Sequence, residues 1–529
     1  MPTLEWIGKS KVINHHQDVP FRVLDRKYSY DEQGQHDEDN GSENMIIRGD
    51  NLEALKALLP RYEGRVKCIY IDPPYNTGNE GWVYNDNVND PKIKKWLGEV
   101  VGKEGEDLTR HDKWLCMMYP RLKLLQKLLS EDGAIFISID DTECYNLRSI
   151  CNEVFGENNF VTSVIWHKNY APKSSAKYFS EDHDYVLVYC KNKASWVPNL
   201  LPRTTEQNKI YKNPDNDPRG LWRPDNLSAR NPYSLGVYAI HCPGGRIIPG
   251  PPKGRYWAVS EDKFKAMDAD GRIYWGKDGN NIPAPKRYLN EVKQGRVPQT
   301  IWEYGEVGHT QDAKKEMKEI FVGETPFDTP KPTRLLERIL QIASDPDSII
   351  LDSFAGSGTT AHAVLNMNNA DGGHRKFILV EMMDYADNIT AERVKRVING
   401  YGEGTKAVAS TGGNFSFYDL GEPLLQGENL NEAVAPEKIR EYIWFMETKA
   451  PYAPAETGHP YLLGTHNHAA YYFYYKPQQV TILDYDFLAT IQEKADTTII
   501  YADRCAISDD KLAKMGIVFK KIPRDISRL

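Results

Sequence analysis

Cysteine is scarce in this chain: seven in 529 residues, at 68, 116, 144, 151, 190, 242 and 505, odd in number and with no C-x-x-C pair. That excludes a disulfide scaffold, gives no reason to expect a metal site, and points to a reducing compartment, the cytoplasm. Long apolar runs are missing too. With a mean hydropathy of -0.59, no stretch reaches the length a membrane span needs. Met1 to Lys11 has no apolar segment of the secretory kind. No repeat of fixed period organises the chain. Basic charge is short overall, 66 Lys and Arg against 74 Asp and Glu for a net of -8, a balance that by itself discourages a nucleic-acid partner.

What is present is unevenly placed. Ser163 to Gly305 holds 22 Lys and Arg against 14 Asp and Glu, a local excess of +8. The same window carries Trp166, Trp196, Trp222, Trp257, Trp275 and Trp302, six of eleven tryptophans. A basic, aromatic-rich insert in an acidic chain has the footprint of a phosphate-contacting surface with stacking side chains. It equally fits a small β-rich domain whose tryptophans form its core. The length suggests roughly three domains.

Along the chain, residues 1–43 end in the polar, acidic stretch Asp31 to Gly41 and read as a flexible arm. From 44 to 190, apolar runs alternate with helical periods. Met45 to Arg48 is a strand, Asp50 or Asn51 caps a helix over Leu52–Leu59, Val66 to Ile71 is a strand, His111 to Leu129 a helix and Ala134 to Ile139 a strand. The polar loop Asn76-Thr77-Gly78-Asn79 suits the passage of a bulky substrate. Between 191 and 305 the alternation fails and Pro and Gly recur every few residues, which reads as an inserted domain of short strands. The pattern resumes over 306–414 with a helix Thr333–Ala343, a strand Ser348–Phe354, a helix from Thr359 and a strand Lys376–Val380. Residues 415–529 form a third, small α+β region. The fold class is therefore α/β, a doubly wound and mostly parallel Rossmann-like sheet with an insert.

Two motifs carry chemistry. Asp72-Pro73-Pro74-Tyr75 ends the run Val66 to Ile71, because two successive prolines cannot donate to a ladder. The carboxyl edge of a parallel sheet is where ligands bind. There Asp72 and the Pro73 carbonyl can accept hydrogen bonds from an exocyclic amine while Tyr75 stacks on its ring. A plain strand end with a capping Asp fits the same four residues. The second motif, Asp352-Ser353-Phe354-Ala355-Gly356-Ser357-Gly358-Thr359-Thr360, is a strand, a glycine turn and a helix start, where bare backbone and free N–H groups suit a carboxylate or phosphate. Glu381 ends the next strand, the position from which an acid takes ribose hydroxyls. No Lys follows Gly358, which disfavours a P-loop, and the third glycine of a dinucleotide fingerprint is replaced near His362. A nucleoside with an amino-acid tail remains, S-adenosyl-L-methionine. If the strands ending at Ile71 and Asp352 lie side by side, the two motifs share one crevice, and the basic insert lies across its mouth to grip DNA.

The order of these motifs resembles the β group of DNA amino-methyltransferases. Val66 to Gly78, Asp132-Gly133-Ala134-Ile135-Phe136-Ile137-Ser138-Ile139-Asp140-Asp141 and Lys331-Pro332 sharpen the likeness to modification (Mod) subunits of type III restriction-modification systems. The similarity covers residues 44–190 and 325–420, is weaker in the tail from Phe415, and reaches the insert by position alone. It implies methylation of adenine N6 in an asymmetric site of double-stranded DNA by base flipping, a Mod homodimer, and a separate restriction (Res) helicase-nuclease subunit. By the same resemblance Asp72, Pro73, Pro74 and Tyr75 hold the adenine. Asp50, Lys331, Asp352, Phe354, Ala355, Gly356, Ser357, Gly358, Thr359 and Glu381 surround the cofactor, and 191–305 stands in place of the target-recognition domain. N4-cytosine methylation, a solitary methyltransferase and a non-catalytic DNA-binding module are the alternatives.

Overall fold

A computed structural model describes residues 3–77, 95, 98–99, 109–450, 452, 459–493 and 495–524. Gly78 and Asn79 of the expected substrate-passage loop lie outside the described residues. The chain divides into two compact units: Met1–Asn199 with Gln299–Leu529, and Leu200–Pro298.

The first unit is built on one sheet. Its strands in chain order are β1 (Arg22–Asp31), β2 (Gly34–His36), β3 (Met45–Arg48), β4 (Val66–Ile71), β5 (Leu129–Ile139), β6 (Phe160–His167), β7 (His183–Cys190), β8 (Ile301–Trp302), β9 (Ile349–Asp352), β10 (Lys376–Glu381) and β11 (Phe415–Pro423). Across the sheet they run β8-β6-β7-β5-β4-β9-β10-β3-β11-β1-β2. The stretch from β5 to β11 is parallel throughout. Such strands are covered on both faces, and Cys68, Ile69, Tyr70, Ile71, Ile350 and Leu351 are all buried. The helices α1 (Asn51–Tyr62), α2 (Arg110–Leu128), α3 (Asp141–Phe155), α4 (Thr310–Ile320), α5 (Thr333–Ala343) and α6 (Thr359–Asp371) connect or flank these strands. From β4 the chain passes to β5 on one side, and from β9 to β10 on the other. The sheet therefore reverses its winding between β4 and β9, where doubly wound folds open a ligand crevice.

Three expectations are corrected. Residues 1–43 are not a loose arm: β1 pairs antiparallel with β11, Tyr28 stacks on Phe417 with ring centroids 5.1 Å apart, and Ser29 meets Ser416 at 2.9 Å. The acidic residues after Asp31 turn back as the short edge strand β2. Phe415–Pro423, expected to open a separate tail, is a strand of the main sheet, and the tail proper is a four-stranded sheet with the helix Pro436–Thr448. The separate insert is narrower than 191–305, because Ile301 and Trp302 pair with Ile165 and Trp166 in the main sheet.

The sequence also predicts a last helix over Ala386–Ile398, which the structure subdivides. A π turn, Asp387–Ala391, precedes α7 (Glu392–Asn399).

The second unit has its own small core, with Leu227, Trp257, Phe264 and Ile273 buried. Its tryptophans are not an exposed stacking platform. Trp222 and Trp257 are buried, and Trp275 donates its indole N–H to Asp268 at 2.7 Å. Part of its basic charge is neutralised internally: Lys286 contacts Asp217 at 2.7 Å, and Arg219 and Arg272 both pair with Asp270. Arg230, Arg246, Lys253 and Lys277 remain exposed. Among the described residues no helix is long and apolar enough to cross a membrane.

Candidate active site

The turn after β4 is held from beneath. Trp114 of α2 donates its indole N–H to the Pro74 carbonyl at 2.7 Å. Asn76 takes a left-handed backbone, φ 59°, a conformation Asn tolerates better than most residues. Its amide donates to Glu143 Oε1 at 2.5 Å and to the Arg110 carbonyl at 3.2 Å. Glu143 is wholly buried and also meets His111 at 2.7 Å and Asn146 at 2.7 Å. The turn is thereby fastened to the starts of two helices, and Asp72 is presented on a rigid mount.

Tyr75 is buried, and burial, with Asp72 beside it, pushes its phenol well above the usual tyrosine range. Among the described residues neither its hydroxyl nor Asp72 Oδ1 has a hydrogen-bond partner of normal geometry. The other carboxylate oxygen, Asp72 Oδ2, lies 2.5 Å from Lys331 Nζ.

The glycine loop after β9 is shaped by its own carboxylates. Asp352 accepts from the Phe354 N–H at 3.0 Å and from the Thr360 hydroxyl at 2.5 Å. Glu381 accepts from the Gly356 N–H at 2.8 Å and the Met383 N–H at 3.0 Å. Gly358 caps α6 at φ 80°, and a Cβ there would stand 2.9 Å from the Thr390 carbonyl. Thr390 belongs to the π turn, and its hydroxyl also donates to the Gly356 carbonyl at 2.6 Å. Below the loop Arg393, fully buried, donates to Thr359 at 2.8 Å, Ser357 at 3.1 Å, Thr333 at 3.1 Å and Glu316 at 3.1 Å.

The two motifs meet. Cys68 and Ile69 of β4 pair directly with Ile350 and Leu351 of β9. One open cleft is lined by Asp72, Pro74, Lys331, Asp352, Phe354, Ala355, Gly356, Ser357, Thr359 and Glu381 together with Asn51, Ser353 and Tyr385. Burial raises Asp352 to about 7, with Thr360 and the Phe354 N–H opposing and Asp72 and Glu381 adding. Burial raises Glu381 to about 7 as well.

Asp50 does not line the cleft. It caps α1 through Leu52 and Glu53 and pairs with Arg121 at 3.3 Å. Its neighbour Asn51 reaches the cleft instead, donating to the Ser353 carbonyl at 3.2 Å and accepting from Arg121. Pro73, Tyr75 and Gly358 are not among the residues that line the cleft.

Sequence reasoning assigned no site role to Asn51, Ser353, Asp184 or Trp166, although it quoted Ser353 within the second motif, Asn51 as a helix cap and Trp166 in the basic window. Asp184, buried at the start of β7, pairs with Lys168 at 2.6 Å and interacts with Lys331 and Asp72. Trp166 lies 6.0 Å from the Lys331 ammonium. Asp184 comes from a strand whose apolar pattern advertises only burial, and Trp166 was marked only as one of the tryptophans of the basic window. For Asn51 and Ser353, adjacency to Asp50 and Asp352 was the available clue.

Comparison with known proteins agrees with this geometry. Residues 66–392 match the family of N6/N4 DNA methylases. The Mod subunit of the type III restriction-modification enzyme StyLTI from Salmonella typhimurium is 38% identical over 387 residues, 68% of this chain and 58% of that one. The Mod subunit of EcoP15I from Escherichia coli is 33% identical over 446 residues, 75% of this chain and 66% of that one. The chain thus spans less than two thirds of the length of these subunits. The type II methyltransferase M.KpnI from Klebsiella pneumoniae is 31% identical over 359 residues, 65% of this chain and 81% of that one. With a family match running from the first residue of β4 into α7, and both motifs converging on one cleft inside it, the chain belongs to the N6/N4 DNA methylase family.

Proposed function

We propose that this chain is an S-adenosyl-L-methionine-dependent methyltransferase acting on adenine N6 in double-stranded DNA, and that it is the modification subunit of a type III restriction-modification enzyme. The observation that carries the reading is the parallel pairing of β4 with β9, which sets an amine acceptor and a glycine loop on neighbouring strand ends. When bound, S-adenosyl-L-methionine supplies an activated methyl group. The cleft suits such a ligand. Among the described residues Ser353 Oγ is buried without a partner, the carboxyl groups of Asp352 and Glu381 line the cleft, and a Cβ on Gly356 would crowd Phe327 at 3.1 Å. Glu381 and Asn51 offer polar atoms to a ribose and amino-acid tail, and Phe354 offers an apolar wall.

The remaining work falls to the turn. A paired base hides its amine, so the base leaves the stack, at a cost of a few kcal/mol, and is held in the protein. Tyr75 receives the ring, and Asp72 with the Pro73 carbonyl accepts from the amine. These contacts favour a more tetrahedral nitrogen, whose lone pair is otherwise delocalised into the ring. Positioning and fixed electrostatics supply most of the rate. The relatives' designation as Mod subunits of type III restriction-modification enzymes supports association with a restriction subunit; pairing as a homodimer rests on the family resemblance alone.

Nucleoside mass spectrometry of DNA treated with the protein and labelled cofactor tests the reading. N6-methyladenine is the expected product. N4-methylcytosine, or no labelled nucleoside, would overturn it.

A further inference from the structure

Lys331 is a cation of the cleft whose position the proposed chemistry does not use. Its ammonium lies 2.5 Å from Asp72 Oδ2 and 5.1 Å from the Tyr75 ring centroid, and its side chain is 9% exposed. These are the two contacts that an extruded base needs, an acceptor for its amine and a ring face for stacking. One volume cannot hold both a stacked ring and the ammonium.

The backbone of Lys331 is fixed. Pro330 and Pro332 flank it, each with φ locked by its ring, and the residue before a proline is confined to extended conformations. Its carbonyl also accepts from the Thr359 hydroxyl at 3.3 Å. Only the side chain, with four rotatable bonds, is left to move. An acidic neighbour stands ready to receive it, since Asp184 already interacts with Lys331.

We propose that Lys331 is a displaceable plug of the base pocket. Its ammonium holds Asp72 and the Tyr75 face until a base bearing an exocyclic amine replaces both contacts at once. A base lacking that amine breaks the ion pair and leaves Asp72 Oδ2 without a donor, so it is rejected. A buried acceptor left unsatisfied is the usual source of strong discrimination. The inference rests on the amino-methyltransferase reading and adds to it a competitor for the base inside the protein.

The test uses the full chain and duplexes that carry 2-aminopurine, which lacks the 6-amino group, at the methylated position. Its fluorescence reports extrusion. For Lys331→Met the plug predicts at least a fivefold larger extrusion signal, with the preference for adenine over hypoxanthine in competition binding retained, because Asp72 still takes its donor from the amine. Cofactor affinity should stay within twofold. Asp72→Asn releases the same ammonium and should raise the signal in the same way, which keeps the test decisive if Lys331→Met does not fold. An unchanged or smaller signal in the folded variants overturns the plug, and so does loss of cofactor binding in Lys331→Met, which would place Lys331 in the cofactor site. If the wild-type chain transfers no methyl group to DNA, the functional reading itself fails and takes the plug with it.

Discussion

At the scale of single residues, the cleft concentrates carboxylates that burial holds near neutrality. Asp352 stands at about 7 against an unfolded value near 4. Its folded value is the higher one, so the native state keeps a proton that the unfolded chain loses. Stability attributable to this group therefore falls as pH rises from about 4 to about 7 and levels off above, with a slope of at most ~1.4 kcal/mol per pH unit. Asp352→Asn keeps an oxygen for Thr360 and removes the titration. Urea unfolding of the variant should depend less on pH between 5 and 7 than the wild type, and an unchanged slope would assign the proton elsewhere. Asp72, Gly356 and Glu381, which line the cleft, were legible in the sequence because their types and spacing are the chemistry. The pairing of Asp72 with Lys331, 259 positions away, was not, since only the tertiary fold sets a lysine beside that carboxylate. The same holds for Arg393, whose burial under the glycine loop looks in sequence like one more surface charge on a helix.

At the scale of elements, the turn after β4 depends on helix starts far from it. Glu143 of α3 fixes Asn76, and so the backbone that carries Tyr75. Glu143→Ala should lower the transfer rate at least tenfold while cofactor affinity stays within twofold, as single-turnover kinetics and equilibrium binding would show. Equal loss of both would mean that α3 serves the cofactor half instead. Gly358→Ala meets a positive φ and a carbonyl 2.9 Å away. It should cost about 1–3 kcal/mol and lose cofactor binding before duplex binding, measured by thermal melting with and without cofactor. Long periodic elements were legible: α5 runs over Thr333–Ala343, as its apolar spacing predicts. Two elements were not. In α4 the buried positions Ala313, Met317 and Ile320 do recur at helical spacing, but they are sparse among charged neighbours. In β1 only Tyr28, Ser29 and Tyr30 are well buried, so charged residues at its start and acidic ones just after it masked a strand that the main sheet needs as a cover for β11.

At the scale of the whole molecule, chemistry and the basic insert reside in separate compact units. The boundary at Leu200 and Pro298 was legible only approximately, because proline and glycine density marks irregular structure on both sides of it, including the short strand Ile301–Trp302 that belongs to the main sheet. Arg230 and Lys253 are exposed on the second unit. If they contact phosphates, the double substitution Arg230→Ala with Lys253→Ala should reduce the slope of log K for DNA against log salt by up to ~2 and leave cofactor binding unaltered. An unchanged slope would move the phosphate contacts to other surfaces.

The central claim is that the turn at Asp72 and the loop at Gly356 are two halves of one reaction cleft. Labelled-methyl transfer and cofactor binding, measured side by side for Asp72→Ala and Phe354→Ala, test it most directly. The account predicts that Asp72→Ala abolishes transfer with cofactor and duplex binding largely intact, whereas Phe354→Ala loses cofactor binding first. Retained methylation in Asp72→Ala would contradict it.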